Sequence, residues 1–302
     1  MSDATPPQHV RLRVDLAYDG TDFHGWARQK ATPEGPVRTV QETVEAALTT
    51  IMRTPVHLTV AGRTDAGVHA SGQVAHCDIP ATALDQRSID GDPQRLVRRL
   101  SKFLPEDIRI QSVDFAPEGF DARFSALTRT YVYRVTTHPG GALPTRVRDT
   151  ATWMKPVDVN LMQEVALGLV GLHDFAAFCR PRPHSTTIRE LQSFVWRDSS
   201  TSEEPQLYEA DVIADAFCWN MVRALVGACL AVGEGRRDYP WAKLLLQQEQ
   251  RSSDVPLAPA RGLTLRGVSY PPDEELASRN AVTRDKRESS EVASQNNESR
   301  EA

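Results

Sequence analysis

No run in the sequence approaches the roughly 18 apolar residues that a membrane-spanning helix needs, and the opening MSDATPPQHV carries no apolar stretch of the kind a secretory leader uses. These absences predict a cytoplasmic protein. Cysteine is scarce: Cys77, Cys179, Cys218 and Cys229 are the four, none in C-x-x-C spacing and each in apolar company. They predict buried free thiols in a reducing compartment, with neither a zinc site nor a disulfide framework. The G-x-x-x-x-G-K, G-x-G-x-x-G and G-x-S-x-G signatures are absent, so nothing points to a nucleoside triphosphate, a dinucleotide or an α/β-hydrolase nucleophile. Lysine is rare, five among 35 basic residues. The remainder are arginines, whose planar fork suits phosphates and base edges, although a codon bias would give the same count.

What is present describes an ordinary globular protein. Of 302 residues, 40% are hydrophobic and 25% charged, enough for one large domain or two of ordinary size. The net charge of -5 is uneven. Residues 271–302 hold 8 acidic and 5 basic residues, leaving 32 against 30 in the rest, so the foldable part is close to neutral. That terminal segment is poor in apolar residues and is expected to be a disordered polar tail; residues 1–10 are expected to form a flexible N-terminus.

Hydrophobic periodicity predicts the elements between. In RLRVDLAYDG, Leu12, Val14 and Leu16 alternate with Arg11, Arg13 and Asp15 as in a half-buried strand. RTVQETVEAALTTIMR reads as a helix, with Thr39 and Glu42 as a capping box and Val40, Val44, Ala47, Leu48 and Ile51 on one face. Two short strands flank AGRTDAGVHA. A second helix is expected over DPQRLVRRLSKFLP, with Asp92 as cap, Pro93 in the first turn and Leu96, Leu100, Phe103 and Leu104 inward; the strand DIRIQSVDFA follows. The second half repeats this order: strand RTYVYRV, helix DVNLMQEVALGLVGLHDFAAF, strands TTIRELQSFVW and QLYEADVIADAF, helix CWNMVRALVGACLAVGEG and strand GLTLRGVSY. Strand, helix, two strands, helix, strand is the split βαβ order. The expected fold is therefore α+β: two ferredoxin-like halves, residues 11–126 and 127–270, with a mostly antiparallel sheet, helices on one side and a cleft between the halves.

Three groups of residues could carry chemistry. Arg63, Asp65 and His69 fall within seven residues of a turn-prone segment, where Ala66 and Gly67 leave room beside the carboxylate. The plainer reading is an Asx turn at Asp65 with Arg63 solvated; a metal site from Asp65, His69 and His76 matches no ligand spacing. From Cys218 to Val232, apart from Asn220 at the start, Arg223 is the only polar residue of an otherwise apolar helix. A buried guanidinium keeps its charge and must meet an acceptor, either a carboxylate, for which Asp65 is the candidate, or backbone carbonyls. Tyr131 and Tyr133 share a strand face near Arg129 and Arg134, while Phe23, His24 and Trp26 sit in the first loop. Aromatic rings beside arginines are what unpaired bases stack on; rings on a strand face are as readily plain core.

AGRTDAGVHA with SGQVAH resembles the signature segment of the tRNA pseudouridine synthase A family, and YDGTDFHGW, VQETVEAAL, FDARFSALTRTYVYRV, FCWNMVRALVG and APARGLTLRGVSYP extend the likeness over about residues 11–270. The resemblance implies two ferredoxin-like halves, a homodimer with a basic cleft for tRNA, and isomerisation of uridine to pseudouridine at positions 38, 39 and 40 of the anticodon stem-loop, without cofactor or metal. It implies Asp65 as nucleophile, Tyr131 as the ring packed on the target base, Arg223 as the partner of Asp65, and Arg63 as an arginine that helps hold the flipped nucleotide. The chain departs from the family pattern at Ala27, where glutamine is common, at Thr130, where arginine is common, in the long RDSSTSEEPQ loop and in the acidic tail. Two other classes fit the residues less well: a non-catalytic RNA-binding protein of the same fold, and a metal-dependent hydrolase using Asp65 and His69.

Overall fold

The computed structural model describes residues 8–31, 33, 35–183 and 185–284. They form two compact units, one from residues up to Ala126 together with Gly267–Arg284, the other from Leu127–Arg266.

Unit 1 runs through β1 (His9–Tyr18), α1 (Val40–Met52), β2 (Thr59–Val60), β3 (His69–Pro80), α2 (Arg95–Leu100) and β4 (Ile108–Phe115). Its strand order is β4-β1-β3, with β2 on β3. β1 is antiparallel to both neighbours, placing Leu12 opposite Cys77 and Phe115, and Val14 opposite Ala75 and Val113. α1 starts where the sequence predicts: Thr39, in extended conformation, accepts a hydrogen bond from the Glu42 N–H at 3.4 Å, a cap worth about 1 kcal/mol. Val40, Val44, Leu48 and Ile51 are buried, each contributing roughly 1.5–3 kcal/mol. Glu45 on that helix is also buried, and its carboxylate accepts from Leu58 N (2.8 Å), Gln41 Nε2 (2.9 Å) and Arg28 Nη2 (2.8 Å), which fastens the entry to β2 onto the helix.

Unit 2 runs through β5 (Thr128–Thr136), β6 (Ala151–Thr152), α3 (Val159–Leu169), β7 (Gly171–Asp174), β8 (Ile188–Asp198), β9 (Leu207–Ala214), α4 (Met221–Gly233), α5 (Tyr239–Leu244) and the first part of β10 (Leu263–Ser269). Its strand order is β10-β5-β9-β8-β7. The pairs β5–β9, β9–β8 and β8–β7 are antiparallel, and β6 runs parallel to β5. The mixed α+β architecture agrees with the sequence reading; unit 1 follows the order strand, helix, two strands, helix, strand, and unit 2 adds β6, β7 and α5 to it.

Five expectations need correction. The long helix over residues 158–178 stops at Leu169, because Gly171 takes φ +125° and starts β7, after which Ala176–Phe178 make a single 3-10 turn. Helix α2 ends at Leu100, which leaves Phe103 55% exposed rather than inward. Residues 271–302 are not polar tail throughout: Leu276–Arg284 form helix α6 of unit 1. Leu276 is buried among Ala61, Val74, Phe120 and Ala122, and Asn280 donates to the Gly119 carbonyl at 2.6 Å. One leucine and one asparagine hold what the average composition disguises. The rest of that tail, 285–302, lies outside the described residues. So do residues 1–7 of the expected flexible N-terminus; His9 and Val10 already pair with Pro80 and Ile79. Finally, Cys179 and Cys218 are joined by a disulfide, their Cα atoms 5.7 Å apart, while Cys77 and Cys229 are free and buried. Thirty-nine residues separate the bonded pair in sequence, so only the packing of unit 2 makes them neighbours. No helix among the described residues is long and apolar enough to cross a membrane.

Candidate functional site

In unit 1 the segment 61–69 links β2 to β3 as a turn closed by the Val68 N–H on the Asp65 carbonyl, 3.1 Å, with Gly67 at φ +75°. Along it burial alternates: Thr64 and His69 are buried, Asp65 is half-buried and Arg63 is exposed. The first loop lies directly on this turn. Trp26 N donates to the Thr64 carbonyl at 3.0 Å and Gly67 N to the Phe23 carbonyl at 3.3 Å. A Cβ on Gly20 would stand 2.0 Å from the Val68 carbonyl oxygen, and one on Gly25, itself at φ +94°, 2.8 Å from that of Thr64. Only glycine permits such an approach, which is why YDG and HGW flank the loop that covers Asp65.

Side chains complete the support. The Tyr18 and Thr64 hydroxyls share a hydrogen bond of 2.8 Å, and Gln73 Nε2 donates to both the Tyr18 hydroxyl (3.1 Å) and the Gly62 carbonyl (2.8 Å). Tyr18 and Gln73 are buried. Burial pushes the Tyr18 phenol up to about 12, with the bonds to Thr64 and Gln73 pulling the other way, so it stays neutral and keeps its donor. Nothing but neutral groups thus fixes the residue next to Asp65. His69 belongs to the same frame. Its Nδ1 lies 3.1 Å from both the Gly20 N–H and an Asp19 carboxylate oxygen. The Gly20 N–H donates to Nδ1, and Asp19 accepts from the Thr21 N–H and hydroxyl at 3.0 and 2.6 Å. His69 is therefore a structural residue, and no group of three or more His, Cys, Asp or Glu able to hold a metal exists among the described residues.

In unit 2, Arg223 is half-buried on α4, whose other residues from Met221 to Gly233 are all buried. Its Nε donates to the Ala258 carbonyl at 2.7 Å, while Ala258 N donates to the Arg223 carbonyl at 3.1 Å. One of the two acceptor types expected for this guanidinium, a backbone carbonyl, is thereby present. Gly227 admits that neighbour, since a Cβ there would stand 1.9 Å from the Pro256 carbonyl oxygen. Tyr133 is core: fully buried, bonded to the Pro259 carbonyl at 3.0 Å, and with its phenol pushed up by burial. Tyr131, on the same face, is 7% exposed and meets Phe217 edge-on, ring centres 5.2 Å apart.

The arginines that the sequence places beside these tyrosines serve the fold. Arg134 pairs with Glu209 and with Glu204 (3.0 Å), the latter from the RDSSTSEEPQ loop, and Arg129 is buried with Nη1 on the Asp215 carbonyl at 2.6 Å. Sequence reasoning missed the Tyr18–Gln73–Thr64 frame, although a glutamine inside the apolar strand SGQVAHCDI was a visible signal. It also missed the packing of Arg180 and Arg182 on Trp219, which no local pattern announces.

A family model described as tRNA pseudouridine synthase matches residues 16–125 and 165–271, which takes in the Asp65 turn, its covering loop and α4. The chain is 62% identical to a tRNA pseudouridine synthase A of Corynebacterium glutamicum over 92% of its own length and 96% of that protein's. It is 54% identical to the protein of that name from Frankia casuarinae, covering 91% and 94%, and 52% identical to that from Mycobacterium leprae, covering 93% and 97%. Matches of this extent through both units leave one assignment: the chain belongs to the tRNA pseudouridine synthase family.

Proposed function

We infer that this chain is an isomerase that converts uridine to pseudouridine in tRNA, at positions 38, 39 and 40 of the anticodon stem-loop, acting as a homodimer with Asp65 as the nucleophilic carboxylate. The observation that carries the reading is the Asp65 turn: a half-buried carboxylate on a loop whose neighbours are pinned by buried, uncharged hydrogen bonds and close glycine contacts. Full-length relatives named tRNA pseudouridine synthase A support the substrate.

The reaction breaks the N1–C1′ glycosidic bond, turns the base and forms a C5–C1′ bond, with the C5 proton released and one proton returned at N1. Atoms and electrons balance within the nucleotide, so the protein has to supply a carboxylate at the ribose, walls that retain the free base, and contacts that keep the nucleotide out of its stack. Extruding the base costs a few kcal/mol. In the proposal Tyr131, fixed by its edge contact with Phe217, offsets part of that cost by packing on the base. Arg223 holds Asp65 ionised and Arg63, exposed beside it, helps retain the flipped nucleotide.

The test uses tRNA transcripts tritiated at uridine C5, without added metal or nucleotide. Wild type is expected to release tritium to water and Asp65→Ala to lose at least 10³-fold in rate while still binding tRNA; light scattering on the same preparation should give twice the chain mass. Equal release by the variant would remove Asp65 from the chemistry. No release by wild type, on transcripts with uridine at positions 38 to 40, would overturn the reaction itself.

A further inference from the structure

The loop after Cys179 carries the most conspicuous charge arrangement outside the residues discussed above. Arg180 and Arg182 both pack on the Trp219 ring, their Cζ atoms 4.2 and 4.4 Å from its centre. Both guanidinium-bearing residues are exposed, and neither has a carboxylate partner among the described residues. Two like charges on one ring repel each other, and the indole face returns only about 0.5–1 kcal/mol each at an exposed site. A pair held so close without a counter-charge is complete when an anion joins it.

The mount is built to stay in place. Arg180 N donates to the Trp219 carbonyl at 2.9 Å, and the preceding residues of the two stretches, Cys179 and Cys218, are bonded through sulfur. Pro181 and Pro183 flank Arg182 and restrict its backbone. Held at the ring, each guanidinium has less of its side-chain entropy, about 2 kcal/mol when free, left to lose on binding. The mount also adjoins the ring proposed to hold the base. Trp219 is two residues from Phe217, at most about 7 Å of chain, and Phe217 is the edge-on partner of Tyr131.

We propose that Arg180 and Arg182, mounted on Trp219, form a docking site for the RNA phosphodiester backbone, gripping tRNA on unit 2 beside the nucleotide packed on Tyr131. The occupant follows from charge and shape. A guanidinium edge fits phosphate oxygens bidentately, two edges on one ring suit a polyanion better than a single carboxylate, and the proposal rests on the tRNA reading above. Arg129 and Arg134 are held by the fold, whereas Arg180 and Arg182 are exposed.

The experiment measures tRNA affinity of the full chain across a salt series, with no turnover required, so its outcome is separate from that of the Asp65 test. Arg180→Ala/Arg182→Ala should weaken binding about 10-fold or more and flatten the plot of log affinity against log salt by about 1.4–1.8, the counter-ions of two phosphates. Arg182→Lys, which keeps charge but cannot stack as a plane, should fall between wild type and Arg182→Ala. Lys155→Ala removes one exposed charge elsewhere on unit 2 and sets the scale of a non-specific loss. Melting curves confirm that each variant is folded. A single arginine variant that loses no more than Lys155→Ala, or a double variant with an unchanged salt slope, overturns the phosphate site.

Discussion

The Asp65 turn of unit 1 and helix α4 of unit 2 meet opposite demands. At the turn, a carboxylate is left half-open while its neighbours are held by neutral, buried and short-range contacts: Tyr18 on Thr64, Gln73 on Gly62, Gly20 against Val68. In α4 a permanently charged guanidinium sits on a helix whose body is wholly apolar, and its Nε reaches the Ala258 carbonyl. The first region spends polar groups on position and the second spends apolar packing on it. If Asp65 reacts as proposed, it has to be aimed yet reachable, whereas a guanidinium on an apolar helix needs an acceptor and a stiff mount. The two regions should therefore fail differently.

Paired glycine substitutions give the largest expected effects. Gly227→Ala drives a Cβ to 1.9 Å from the Pro256 carbonyl, and Gly20→Ala to 2.0 Å from that of Val68. Overpacking of this kind costs about 1–3 kcal/mol or more. Gly227→Ala should lower Tm more, since it lies in the core of unit 2. Gly20→Ala should lower kcat about 10²-fold or more with a smaller change in Tm, because a displacement of about 1 Å is enough for such a loss. Equal Tm losses with unchanged turnover by Gly20→Ala would erase the contrast between aiming and mounting.

A smaller and sharper test is Tyr18→Phe. It removes one hydroxyl and strands the Thr64 hydroxyl and one Gln73 donor, a cost of about 1–3 kcal/mol. If Tyr18 positions Asp65, kcat should drop about 10-fold while KM for tRNA holds; a fall in Tm with unaltered kcat would make the network structural only.

The smallest effect concerns pH. His76, buried in unit 1, accepts the Ala122 N–H at Nδ1 (3.0 Å), and burial, followed by the charge of Arg11, lowers its pKa below the usual histidine value. A depressed folded-state pKa means that the stability it confers is complete above about pH 6.5 and is lost as pH falls below that value. Tm should fall from this source on acidification, and His76→Asn should flatten the decline below pH 6.5. An acid decline as steep in the variant as in wild type assigns the loss to other groups.

Legibility from sequence followed the range of each interaction. Thr39 and Glu42 lie three residues apart, so the cap of α1 could be read directly and is found. The alternation in β1 was equally plain, since Leu12, Val14 and Leu16 are all buried. Gly171 misled because LVGLHDFAAF is apolar at helical and strand spacing alike, and its positive φ decides between them. Leu276 misled because one buried leucine in a polar segment has no periodicity to show. Arg134 looked like a nucleic-acid contact until Glu204 and Glu209 closed on it from residues about 70 further along the chain.

By itself the sequence determined the element order of unit 1, the principal strands and helices of unit 2 and the family, because all of these reside in local pattern and in residue types that admit few substitutes. Tertiary structure alone decided which polar side chains are structural and which remain available. Tyr18 meeting Thr64, Cys179 meeting Cys218, and Arg180 and Arg182 meeting Trp219 are encounters across 37 to 46 residues of chain. Such encounters are set by the packing of whole strands and helices, for which no stretch of sequence carries a local sign.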